Sequence, residues 1–83
     1  MSAKGRVRNC VKALRLSSGL TQQQLADRVG ATRQTVLAIE AEKYAPSLEL
    51  AFRMARLFAM PFEQVFWFED EEDPSPSASS TKV

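Results

Sequence analysis

Thr21-Gln22-Gln23-Gln24-Leu25-Ala26-Asp27-Arg28-Val29-Gly30-Ala31-Thr32-Arg33-Gln34-Thr35-Val36-Leu37-Ala38-Ile39-Glu40 is the stretch that decides the fold. Thr21 followed three residues later by Gln24 is a capping box, in which each side chain satisfies the other residue's backbone N–H. Leu25, Ala26 and Val29 then give an apolar helical stripe, and Gly30 stops that helix only nine residues after its cap. Thr32 is the next N-cap, and Val36 and Ile39, with Thr35, predict a second short helix ending near Glu40 or Ala41. About three residues separate the two helices. So short a link between such short helices forces a steep crossing rather than a side-by-side hairpin, as in a helix-turn-helix. Ala26 is small where the second helix crosses, and Gly30 permits positive φ in the turn.

The flanks extend this pair into a five-helix pattern. Val7, Val11 and Leu14 recur at spacings of four and three, which predicts a first helix over Val7 to Ser18, with Gly19 suited to the left-handed position beyond its end. Cys10 reads as a small buried hydrophobe. Lys43 to Pro46 is a loop. Ser47 caps a fourth helix, with Glu49 in its first turn and Leu48, Ala51, Met54, Ala55 and Phe58 along its apolar side. Pro61 suits the first turn of a short fifth helix through about Val65. Phe66-Trp67-Phe68 has strand preference.

Composition narrows the function. The 83 residues contain one cysteine and no histidine, which excludes a disulfide framework, a Cys/His zinc site and a His-based catalytic centre. No apolar run approaches the ~20 residues that span a bilayer, and Met1 to Asn9 lacks the apolar stretch of a signal peptide. A cytoplasmic domain without a cofactor is the expectation. The net charge is +1, but residues 1–67 hold ten Lys/Arg against five Asp/Glu, whereas residues 68–83 hold one Lys against five acids. A basic body of this kind favours a polyanionic partner. The acidic run Glu69 to Asp73 lacks the Asp-x-Asp spacing and turn glycine of a calcium loop. The expected organisation is a basic N-terminal arm at 1–6, a helical domain at 7–68, and an acidic, Ser/Pro-rich, disordered tail at 69–83.

Gly19-Leu20-Thr21-Gln22, Leu25-Ala26, Val29-Gly30, Thr32-Arg33-Gln34-Thr35-Val36, Ile39-Glu40 and Pro46-Ser47-Leu48-Glu49-Leu50-Ala51 together resemble the Cro/C1-type (XRE-type) helix-turn-helix regulators. The resemblance covers about Val7 to Phe66 and is closest to small stand-alone members. It implies an all-α, lambda-repressor-like domain of five helices, with a short C-terminal strand as an optional addition. It also implies binding of double-stranded DNA, with the third helix in the major groove. Arg33 and Gln34 then fall at base-reading positions, where Arg pairs with guanine and Gln with adenine. Thr35, which either meets a thymine methyl group or packs in the turn, and Ala38, suited to a methyl group, are the remaining candidates there. Gln22 matches a phosphate-contacting position, with Thr32, Lys43 and Tyr44 next in order. Arg15 and Glu40 match a salt bridge tying the first helix to the end of the third. Family members commonly carry Asn-Gly after this Glu. Ala41-Glu42 stands here instead, which removes one phosphate contact and brings a charge that would repel phosphate if it faced the DNA.

Val65, Phe66, Trp67 and Phe68 are more aromatic than the end of a small domain requires. They predict a homodimer seam, with Phe66 to Phe68 pairing as a strand with its two-fold mate, Phe66 turned inward and Trp67 or Phe68 crossing the seam. The leading function is a sequence-specific DNA-binding regulator, a repressor that binds a palindromic operator without a small-molecule effector. The second is an antitoxin or interaction module of the same fold, whose acidic tail engages a toxin or other protein. An enzyme is the weakest reading, because no nucleophile has a base.

Overall fold

The computed structural model describes residues 5–70. Strand β1 (Gly5–Asn9) leads into α1 (Val11–Ser17), α2 (Gln22–Val29), α3 (Arg33–Glu40), α4 (Leu48–Leu57), the single turn α5 (Phe62–Val65) and strand β2 (Phe66–Asp70). The local start signals act as the sequence predicts. Thr21 Oγ1 accepts from Gln24 N–H at 3.0 Å, while Gln24 Oε1 accepts from Thr21 N–H at 2.9 Å. Thr32 caps α3 through Thr35 N–H at 3.2 Å, and Ser47 caps α4 through Leu50 N–H at 3.2 Å. Gly30 is left-handed (φ 75°), so the chain leaves α2 sharply and Ala31 N–H reaches back to Ala26 O at 2.9 Å. α2 and α3 thereby cross over the fully buried Ala26.

The core is built from Val11, Leu25, Val29, Val36, Ile39, Met54 and Val65, with Ala51, Ala55 and Phe66 completing it. Every helix contributes to it. That matters because segments of seven to ten residues are too short to be stable as isolated helices.

The domain is not purely helical. β1 and β2 pair antiparallel, with Val7 opposite Phe68, Arg8 opposite Trp67 and Asn9 opposite Phe66. This corrects four expectations. The first helix begins at Val11 rather than Val7, because Val7 to Asn9 pair in β1 and Asn9 Oδ1 accepts from Val11 N–H at 2.9 Å in an Asx turn just ahead of the N-cap Cys10. Gly5 and Arg6 belong to the sheet rather than to a free basic arm, as do Glu69 and Asp70 rather than to the tail. Phe66 to Phe68 pair with a strand of their own chain, brought alongside by Cys10 N–H donating to Val65 O at 3.1 Å. Cys10 precedes α1 half-buried, with its thiol on Gln64 O at 3.3 Å, instead of lying in the core. The rest of the expected arm and tail, residues 1–4 and 71–83, lies outside the described residues. Among the described residues no helix is long and apolar enough to cross a membrane.

Three helices close in one hydrogen-bond pattern. Beyond α1, Leu20 N–H reaches Arg15 O and Gly19 N–H reaches Leu16 O. Beyond α3, Lys43 and Glu42 do the same to Ala38 O and Ile39 O, and beyond α4, Met60 and Ala59 do so to Ala55 O and Arg56 O. This is the Schellman motif, whose residue one past the cap must be left-handed. Gly19 (φ 74°) fills that place without strain, but Glu42 (φ 62°) and Ala59 (φ 55°) do not. Ala59→Gly should therefore raise the stability of the domain by about 1 kcal/mol in urea unfolding, although glycine normally costs chain entropy.

Candidate nucleic-acid interface

The start of α3 carries the surface. Arg33 and Gln34 are its first two residues and both are exposed. Leu37 and Ala38 follow one turn later on the same side and are half-exposed. Thr35 turns into the corner, half-buried, with its hydroxyl 3.0 Å from that of Thr32. The outward face is therefore Arg33, Gln34, Leu37 and Ala38. The sequence reading overlooked Leu37, although its i, i+4 relation to Arg33 was available as a signal.

The other end of α3 is fixed by charge. Arg15 Nε lies 2.6 Å from Glu40 Oε2, and Arg15 Nη2 lies 3.2 Å from Oε1. Gln22 Nε2 donates to the same Oε1 at 3.1 Å, and Arg15 Nη1 donates to Leu20 O at 2.9 Å. The two charged side chains are only 9% and 5% exposed. Glu40, the last residue of α3, thus ties α3 to α1 and to the first residue of α2. Gln22 sits half-buried at the start of α2 with one amide N–H committed to this carboxylate. Thr32, Lys43 and Tyr44 are exposed around α3.

β1 adds a second anchor that the sequence did not disclose. Asn9 Nδ2 donates to Ile39 O at 3.0 Å. The Arg8 guanidinium grips the Glu42 carboxylate, with Nε 2.9 Å from Oε1, and its Nη1 bonds Glu69 on β2. Hydrogen bonding from Arg8 holds the Glu42 carboxyl below its ordinary pKa against a smaller desolvation effect, and the two carboxylates raise that of Arg8. Glu42 therefore faces the sheet and is neutralised there. Among the described residues Arg6, Lys12, Arg28, Arg33, Lys43 and Arg56 enter no ion pair, and three of these, Arg28, Arg33 and Lys43, lie on α2, on α3 and in the loop after it.

The expected dimer residues divide. Val65 and Phe66 are buried in the core of the protomer, since the turn α5 directs Val65 inward and the Phe66 ring packs on Phe62 at 5.7 Å between centroids. Phe66 is thus turned inward, as expected, whereas Val65 lies in the core instead of in a seam. Trp67 and Phe68 remain exposed on β2.

A family model described as helix-turn-helix matches residues 11–65, so the chain belongs to this helix-turn-helix family, of the XRE or Cro/C1 type. It is similar to an uncharacterized HTH-type transcriptional regulator of Bacillus subtilis, YgzD, at 49% identity over 65 residues, covering 78% of this chain and 98% of the relative. A second such regulator, from Methanocaldococcus jannaschii, is 46% identical over 66 residues, covering 80% of this chain and all of the relative. Among solved structures, a candidate DNA-binding protein from Bacteroides fragilis shares the fold, with a TM-score of 0.66 at 23% identity over 74% of this chain and 98% of that one.

Removing one member of the buried pair leaves the other charged and uncompensated. Arg15→Ala should cost about 3–5 kcal/mol in urea unfolding, whereas the paired change Arg15→Met with Glu40→Leu should recover most of that loss.

Proposed function

We propose that the protein is a sequence-specific, DNA-binding transcriptional regulator that places α3 in the major groove. The observation that carries this reading is the exposed Arg33-Gln34 pair at the start of a helix whose far end is locked by Arg15, Gln22 and Glu40. Such a helix presents a guanine-pairing and an adenine-pairing side chain from a backbone already held in place. Leu37 and Ala38 add apolar contact with thymine methyl groups. Gln22, Thr32, Lys43 and Tyr44 position the backbone, with Lys43 supplying charge and the start of α2 supplying free N–H groups. The family membership and the regulators it resembles support the same reading.

The regulator acts as a homodimer on a palindromic operator and represses by occupying it. Its seam is the apolar face on which Leu48, Phe52 and Phe68 stand exposed around a groove of about 260 Å³ lined by Val7, Pro46, Phe62 and Phe66. The Phe52 and Phe62 rings stack at 4.8 Å on this face. A contiguous apolar patch of this sort marks a protein interface, and a second copy supplies the symmetry that two half-sites require. Trp67 stands on the opposite face of β2, so Phe68 is the strand residue that meets the partner.

Selection from random duplex DNA at ~150 mM salt tests the reading, because non-specific attraction is then screened. Enrichment of two inverted half-sites about one helical turn apart is expected. Gln34→Ala should cost about 1–3 kcal/mol at one base position per half-site and relax preference there. An unchanged preferred sequence would show the register of α3 to be wrong. No enriched duplex at all would overturn the DNA reading in favour of a protein partner. Phe52→Glu should shift the species in light scattering from dimer to monomer while leaving the helical content intact.

A further inference from the structure

Glu42 holds a position that suits glycine. It is the left-handed residue of the motif that ends α3, and it is immediately followed by Lys43 and Tyr44. Ala59, in the equivalent place after α4, has only a methyl group, which can form no bond to offset the strain. Glu42 has one, and the strand β1 meets it. Its carboxylate accepts from Arg8 Nε at 3.0 Å and lies 3.4 Å from Asn9 N, while Asn9 Nδ2 takes up Ile39 O one turn earlier. Arg8 is in turn gripped by Glu69 from β2, so both strands of the sheet converge on this one turn.

We propose that Arg8 and Glu42 are positioning residues for DNA binding. Resting on the DNA-binding function proposed above, their ion pair replaces the glycine that would otherwise hold the turn after α3, and so fixes where Lys43 and Tyr44 meet the phosphate backbone. Two consequences follow from the geometry. When the pair is broken, residue 42 is held left-handed only by the turn's own hydrogen bonds, as Ala59 is after α4, and is free to relax toward negative φ, which separates Lys43 N–H from Ala38 O and swings the loop away. The released carboxylate also becomes free to approach the phosphates, which it repels. Arg8 thus raises affinity without touching DNA.

The test uses the full chain and the duplex recovered by selection, with a scrambled duplex beside it, well below the unfolding transition. Arg8→Ala and Glu42→Gln should each weaken binding about five- to tenfold on both duplexes. Each should also lower the slope of log affinity against log salt by about one, as expected when one phosphate contact is lost. Arg8→Lys should recover part of the loss. Glu42→Gly, which favours the left-handed turn by itself, should bind within about twofold of the parent and make Arg8→Ala nearly silent. A loss from Arg8→Ala that is equally large in the Glu42→Gly background would overturn the proposal, because Arg8 would then act on DNA directly. The backbone coupling constant of residue 42 gives a second reading without DNA. It should leave the left-handed range in Arg8→Ala, and a value unchanged from the parent would also overturn the proposal. A parent protein that binds no duplex while that coupling responds as expected would instead locate the failure in the DNA-binding function.

Discussion

The contact between Arg15 and Glu40 is the constraint on which the rest of this structure depends. Both groups are almost wholly withdrawn from water, and a charge so placed is tolerable only when fully paired. Glu40 accepts from both Arg15 and Gln22, and the third nitrogen of Arg15, Nη1, donates to Leu20 O. Few relative placements of α1, α2 and α3 satisfy all of these bonds. Apolar packing over Ala26 and Ile39 would tolerate a slide of several degrees, since hydrophobic contact has no direction. The bidentate carboxylate does not. The pair therefore buys orientation more than stability, and orientation is what a reading helix needs.

The two ends of α3 are held by unlike means. At its start, Gly30 and the Thr32 cap are local devices that set the angle at which the helix leaves the turn. At its finish, the anchors are long-range: Glu40 to α1 and α2, then Ile39 O and Glu42 to β1. The same pairing tidies the charge. Glu40, Glu42, Glu49 and Glu69 each meet an arginine, while Arg28, Arg33 and Lys43, on and beside α3, are among the cations that enter no ion pair. Those three add positive potential beside α3.

What could be read from the sequence was what lies within four residues of its cause. The Thr21–Gln24 box, the Thr32 and Ser47 caps and the left-handed Gly30 are each encoded next to the place where they act. The Arg15–Glu40 bond spans 25 residues and was foreseen only through resemblance to a family. The strand at Phe66 to Phe68 was legible, but β1 was not, because Val7 falls in helical register with Val11 and Leu14 and its partner Phe68 lies at the other end of the described chain. A lone β-branched residue between two arginines is a weak period-2 signal. Asn9 was the informative residue. An Asn two positions ahead of Val11 is an Asx-turn signal that competes with helix, and it moves the start of α1 beyond Val7. Val65 reads as a seam residue because aromatic richness around it says that surface is to be covered, not which residue covers it.

The sheet itself has only two strands, and such ribbons are marginal in water when nothing covers them. Three features hold this one. Phe66 is rooted in the core, Arg8 bridges from β1 to the turn after α3 and to Glu69, and Cys10 N–H is bonded to Val65 O. The outer part of one face, where Phe68 sits opposite Val7 beside Leu48 and Phe52, still meets water. Covering it with a second copy would bury aromatic surface next to the strand that steadies the turn after α3. In the proposed dimer, association and the posture of α3 would then be linked through β1. A partner that binds only the ordered sheet would stabilise it by mass action, and the stabilised sheet would hold Glu42 more firmly through Arg8. Reciprocity would require the converse in the proposed complex: DNA that favours the held turn would tighten the seam by the same free energy.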